Sequence, residues 1–189
     1  MANTGVGQLL QHAAAGDRDA WNSLVERYSR LVWSVVRSFG MDDATAADVS
    51  QTVWLRLVEH AGRIRDPERL PGWLATTARR EALRVIRGQR RQQPAEFVAD
   101  MADPSMPLPD ELLLDDELTR TVFTAFRDLS ASCQQLLRLL TAEPRLDYVT
   151  IAGLINRPVG SIGPTRARCL SQLRLLIDSA RPTGARSDD

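Results

Sequence analysis

Apolar residues return every three or four positions along most of this 189-residue chain. That is the period of a helix with one buried face. No run alternates apolar and polar positions between turn pairs, as a half-buried strand would. The pattern predicts an all-α protein. Asp17 caps a helix reaching about Phe39, with Leu24, Tyr28, Leu31 and Val35 on its inner face, and Gly40 stops it. A second helix runs from about Asp43 to Ala61, with Val49, Val53, Leu57 and Trp54 toward the core. A third runs from about Pro71 to Arg91, its proline suitably placed in the first turn. Further helices follow at about 110–128, 132–141, 147–156 and 161–178, and a short one at about 6–15 precedes them all. Pro94, Pro104, Pro107 and Pro109 forbid a continuous helix between the third and fourth of the long elements. The expected architecture is two small helical domains, 1–92 and 112–178, joined by a linker at 93–111 and followed by a frayed tail at 179–189.

Charge sharpens this division. The chain has 24 basic and 24 acidic residues, a net charge of zero, and every cation is arginine. Base composition of the genome is the simplest source of the missing lysine. Its physical consequence is that every cation is a planar, bidentate phosphate binder. The balance is segregated: residues 1–62 carry −2, 63–91 carry +6, 96–117 carry −8 and 118–189 carry +4. A basic block, an acidic tether and a second basic block lie in series, the pattern of interaction surfaces and linkers.

The third helix concentrates the first basic block. Arg80, Arg84, Arg87 and Arg91 fall at i, i+4, i+7 and i+11 and form one stripe. Trp73, Thr76 and Thr77 flank it, while Leu74, Ala78, Ala82 and Val85 form the opposite, apolar stripe. Only Glu81 interrupts the cations from Arg69 to Arg91. Arginines for phosphates beside an aromatic for an unpaired base make a candidate nucleic-acid face.

The C-terminal basic block holds a helix-turn-helix pattern. Ile151 and Leu154 point inward on a short helix, Asn156 takes a left-handed cap, and Pro158 and Gly160 make the connection. Ser161 is expected to cap the next helix. There Ile162, Cys169, Leu173 and Leu176 lie on one side, and Ser161, Thr165, Arg168 and Gln172 on the other. A recognition helix needs that division.

Other chemistry is thin. The two cysteines, Cys133 and Cys169, are too few for a metal tetrad or a disulfide framework, and Cys169 reads as a buried small hydrophobe. A reducing cytoplasm is the expected compartment. No stretch approaches the roughly 20 apolar residues of a membrane span, and Met1 to Leu10 does not read as a secretory signal. His12 and His60 lack metal-ligand spacing, and no phosphate loop or nucleophile motif is present. No catalytic residue, metal or cofactor is expected.

Four segments in order carry a resemblance. Gly16-Asp17 through Ala20-Trp21 and Leu24, then Asp48-Val49-Ser50-Gln51-Thr52-Val53-Trp54, then Trp73-Leu74-Ala75-Thr76-Thr77-Ala78-Arg79-Arg80, then Ile151-Ala152 through Pro158-Val159-Gly160-Ser161-Ile162, resemble the motifs of bacterial RNA polymerase sigma factors of the extracytoplasmic-function (ECF) group. The resemblance implies a transcription initiation factor with no catalysis of its own. It implies that Asp48, Gln51, Thr52 and Leu55 meet the clamp coiled coil of the largest subunit of core RNA polymerase. The −10 promoter element would be read and opened by Trp73, Thr76, Thr77, Arg80, Arg84, Arg87 and Arg91. The −35 element would be met by Ser161, Thr165, Arg166 and Arg168, with the flap of the second-largest subunit as a further contact. Many relatives also have an anti-sigma factor that masks both domains. Arg80 stands where asparagine is common, Gly163-Pro164 replaces a usual polar pair, and Arg166 takes a usually apolar position. The competing reading is a stand-alone helix-turn-helix regulator. It leaves the arginine helix and the Asp48/Gln51 motif unexplained, and no dimerisation helix is evident for it.

Overall fold

The computed structural model describes residues 5–92 and 117–180, and within them the chain forms eight α-helices and no strand. They are α1 (Val6–Ala14), α2 (Arg18–Arg37), α3 (Asp43–His60), α4 (Leu70–Gln92), α5 (Glu117–Arg127), α6 (Ala131–Leu140), α7 (Tyr148–Ile155) and α8 (Ile162–Ala180). The linker expected at 93–111, the tail beyond 180 and the first turns of the helix expected from 110 lie outside the described residues.

Helices α1 to α4 pack together. Asp17 and Asp42 cap α2 and α3 by accepting backbone N–H groups, as their short carboxylates allow. Gly40 supplies the positive φ of 74° that turns the chain between these helices. The inner faces bury Leu24, Leu31, Val32, Val35 and Val36 from α2 and Val49, Val53 and Leu57 from α3. Helix α4 answers with Leu74, Ala75, Ala78 and Ala82, all fully buried. Three alanines let its backbone come close to α2 and α3. Val85, expected on the same stripe, is only half-buried. Arg37, at the end of α2, is buried; its guanidinium donates to Met41 O and lies 3.1 Å from Asp43 Oδ1. That pair locks α2 to the start of α3.

Helices α5 to α8 bury fewer side chains, Leu129, Leu136, Leu137, Leu139, Ile151, Leu154 and Ile162, in a cluster continuous with that of the first group. Ser130 caps α6 and Asp147 caps α7. Asn156 holds the left-handed cap at φ 53°, as its sequence position predicts. Ser161 does not cap α8 by accepting a bond. It ends a short 3-10 turn, Val159–Ser161, and its hydroxyl donates to Pro158 O at 2.7 Å. The rigid φ of Pro158 starts the turn earlier than a serine cap would.

The cysteines also differ from expectation. Cys133 of α6 and Cys169 of α8 are joined by a disulfide, their Cα atoms 5.4 Å apart. Sequence gave no means of pairing them, since 36 positions separate them and α7 with its turns lies between. Cys169 is buried as expected, but as half of a covalent bridge.

The two groups of helices touch, and each sends an arginine to a helix end of the other. Arg79 of α4 donates to Leu154 O, near the end of α7, at 2.9 Å. Arg138 of α6 reaches Arg37 O, at the end of α2, at 3.5 Å. The last carbonyls of a helix carry its negative pole, so both contacts are charge-assisted. Burial, and then the positive Arg37 beside it, lower the Arg138 pKa.

Candidate polymerase and promoter interfaces

On α3 the capped start fixes the rotation of the helix, so that burying Val49, Val53 and Leu57 turns Asp48, Gln51 and Leu55 to solvent. Thr52 is different. It is half-buried, and its hydroxyl donates to Asp48 O at 2.9 Å, one turn back on its own helix. The exposed stripe continues to a residue that sequence reasoning missed. Leu55 and Val58 are 58% and 59% exposed, and Asp48, Gln51, Leu55 and Val58 fall at i, i+3, i+7 and i+10. The signal was available as one more helical step beyond Leu55. Two large apolar side chains in water beside an exposed carboxylate and amide form a surface made to be covered.

On α4 the small-residue face against the bundle leaves Arg80, Arg84 and Arg87 outward and exposed. Arg91 continues the stripe along the helix backbone. The face is less uniform than its sequence implies. Glu81, with only 15% of its side chain exposed, lies 3.4 Å from Arg56 of α3 and 3.7 Å from Arg84. It therefore ties α4 to α3 and draws one arginine of the stripe partly aside. Arg56 also pairs with Glu59 at 2.9 Å. The hydrogen bonds that Arg56 donates to Glu59 and then to Glu81 raise its pKa. Among the described residues, Arg80 and Arg87 form no ion pair. They are the uncompensated cations of the face.

Thr76 is exposed beside them, whereas Trp73 and Thr77 are half-buried. The Trp73 ring leans on His60, their centroids 6.0 Å apart, and His60 is held by donating from Nδ1 to Arg56 O at 2.9 Å. One side of the indole is thus packed, which fixes its orientation. The first turn of α4 also approaches α7, where a Cβ on Gly72 would come within 3.7 Å of Thr150 Oγ1.

In the helix-turn-helix, Ile162 and Cys169 anchor α8 from within and leave Arg166 and Arg168 exposed and Thr165 half-buried. Arg168 Nη2 is 3.5 Å from Thr165 Oγ1, and Arg166 donates to the Tyr148 hydroxyl at 3.3 Å. Tyr148 and Val149, at the start of α7, are exposed apolar neighbours of this cluster that the sequence had not singled out. Ser161 stays engaged with the turn. A groove of about 380 Å³ lies between the two groups of helices, lined by Trp33 and Arg37 of α2, Phe123 and Phe126 of α5, and Arg138 and Leu173. Its lining is mostly apolar, with the guanidiniums of Arg37 and Arg138 and the hydroxyls of Ser34 and Thr141 among it.

Residues 24–92, which span α2 to α4 and carry the first two surfaces, match the family model for sigma-70 region 2. The chain is 29% identical over 182 residues to the RNA polymerase sigma-H factor of Pseudomonas aeruginosa, covering 92% of each chain. It is 25% identical over 163 residues to the ECF RNA polymerase sigma-E factor of Escherichia coli K12, covering 82% of this chain and 84% of that one. Over most of its length the chain thus resembles ECF sigma factors, and residues 24–92 carry the sigma-70 region 2 match. Two solved structures share the fold. CnrH in complex with the cytosolic domain of CnrY aligns with a TM-score of 0.56 at 22% identity, over 93% of this chain and 98% of that one. The sigma factor RpoE in complex with the anti-sigma factor NepR from Bartonella quintana aligns with a TM-score of 0.55 at 17% identity, over 85% and 99%. These relatives support a promoter-directing transcription initiation factor that works with RNA polymerase. Among the described residues, no helix is long and apolar enough to cross a membrane.

Proposed function

We propose that the chain is an ECF sigma factor that divides promoter recognition between its two groups of helices. Residues 1–92 bind core polymerase and open the −10 element, residues 112–178 meet the −35 element, and residues 93–111 tether them. The observation that carries this reading is the outward face of α4, where Arg80 and Arg87 stand without acidic partners beside Thr76 and a braced Trp73.

Opening a duplex means unstacking a few base pairs and holding one strand. The guanidiniums supply phosphate contacts along the backbone, and an indole held against His60 offers a flat surface to an unpaired base. Bracing matters because an aromatic that is already ordered loses less entropy on stacking. Thr76 and Thr77 supply short hydrogen-bonding groups on the same helix. At the other end, Thr165, Arg166 and Arg168 present a short-polar and cationic face to the −35 major groove. Ser161 contributes through the turn that aims α8. The core-binding surface is Asp48, Gln51 and Leu55, extended by Val58; Thr52 supports it from behind. Its partner is the clamp coiled coil of the largest polymerase subunit, with the flap of the second-largest subunit meeting the C-terminal helices.

An anti-sigma partner fits the groove between the two groups of helices. Both solved relatives were captured with a partner chain, and an apolar groove lined by Trp33, Phe123, Phe126 and Leu173 suits the apolar face of an amphipathic helix.

Core binding tests the reading without knowledge of the promoter. Val58→Asp and the double variant Asp48→Ala/Gln51→Ala should each weaken binding to core RNA polymerase at least about tenfold, while the helical circular dichroism stays unchanged. Unchanged affinity in both would remove α3 from the interface.

A further inference from the structure

The cysteines stand apart from every surface used so far. They are the only two in the chain, both lie in the C-terminal helices, and both are buried and bonded to each other. The bridge runs from the first turn of α6 to the middle of α8 and so encloses α7 and the turn that follows it. Apart from the bridge, helix α8 is held by Ile162 and by the half-buried Leu173 and Leu176. Of its 19 residues only Ile162 and Cys169 are buried.

The surroundings also accommodate the separated thiols. Cys133 Sγ lies 3.6 Å from Gln172 Oε1. A disulfide sulfur has no proton to give, but a Cys133 thiol would find an acceptor in place. Cys133 is the third residue of α6, behind the Ser130 cap, where the positive end of a helix favours a thiolate. At 7% against 1%, it is also the more exposed of the pair.

We propose that Cys133 and Cys169 form a reversible thiol-redox site that sets how firmly α8 is held on its domain. The oxidant is a disulfide of the glutathione class. The Cys133 thiolate attacks one sulfur of that disulfide and expels a glutathione thiolate, leaving a mixed disulfide on Cys133. The Cys169 thiolate then attacks Cys133 Sγ and expels the second glutathione. Two electrons pass from the cysteine pair to the oxidant, the two thiol protons end on the two glutathiones, and one Cys133–Cys169 bond remains. A dithiol reverses each step and ends as its own disulfide. The site stands on the bridge alone; its meaning for the −35 element rests on the function proposed above. Helices α1 to α4 contain no cysteine and are untouched.

The test uses the full chain, equilibrated across ratios of reduced to oxidised glutathione and then treated with an alkylating reagent for mass spectrometry. Protection of both cysteines at oxidising ratios, and labelling of both after dithiothreitol, is the expected result. Hydrogen exchange on the same samples should quicken in residues 162–180 by about tenfold or more on reduction, and stay constant in α2 and α3. Cys133→Ser should abolish both dependences. If that variant does not fold, the wild-type titration decides alone. Alkylation of both cysteines at every ratio would overturn the redox site. A bridge that forms while α8 exchange stays constant would overturn its hold on the helix. A promoter assay is not needed for either outcome, so failure of the −35 assignment would leave this result standing.

Discussion

Helices α1 to α4 and helices α5 to α8 solve the same problem with different resources. Both groups must hold a rigid helix whose outer face is cationic. The first does it with apolar packing: Leu24, Leu31, Val32, Val35, Val36, Leu57, Leu70 and Leu74 are fully buried, and α4 lies on them through alanines. The second has fewer such side chains, and α8 buries two residues along its length. A small core supplies little net stability, and small domains commonly add a covalent staple. The Cys133–Cys169 bridge closes a loop of 36 positions, for which the chain-entropy model gives about 3–4 kcal/mol. A face built on packing is always present, whereas a face built on a disulfide depends on the redox state.

The largest effect that sharpens this contrast is expected at Leu74. Leu74→Ala opens a cavity in a fully buried site and should cost about 2–5 kcal/mol. Chemical denaturation followed by hydrogen exchange should place that loss in α1 to α4. A loss spread equally over α8 would mean that the two groups unfold as one unit. Next come the caps, one chosen from each group. Backbone N–H bonds from Thr45 and Thr150 hold the Asp42 and Asp147 carboxyls below the usual carboxylate range. Asp42→Ala and Asp147→Ala should each cost about 1 kcal/mol at neutral pH. A depressed folded pKa means the stabilisation is present above the unfolded value, near 3.9, and is lost as pH falls through the folded one. Thermal melts of each variant against wild type should therefore converge in acid, equally for both groups. The smallest effect on the fold is expected from Arg80→Ala/Arg87→Ala, whose side chains are exposed and unpaired. Stability should change by less than about 0.5 kcal/mol. The slope of log affinity against log salt for single-stranded DNA should nonetheless fall by about 1.4.

Helix identity and the inward faces were legible in sequence because they rest on local rules. Leu24 to Val35 recur at helical spacing, Asp17 precedes its helix as a cap, and Asn156 stands where only a tolerant residue fits. The arginine stripe on α4 follows from the same arithmetic. What sequence could not supply was contact between distant segments. Glu81 was visible as the one acid in a basic run, but its bond to Arg56 comes from the packing of α4 on α3. Arg79 and Arg138 look like ordinary surface cations until the two groups of helices meet. The disulfide needed α6 and α8 to be neighbours. Ser161 was misplaced because serine favours both caps and turns, and Pro158 decided for the turn.

Promoter direction by this chain is tested most directly by runoff transcription with core RNA polymerase on a library of promoter fragments from the same genome. Transcripts should appear from a subset of fragments only when the protein is added, and should be lost with Arg80→Ala/Arg87→Ala while core binding persists. Fragment binding by the protein alone, with no transcript in the presence of polymerase, would contradict the account.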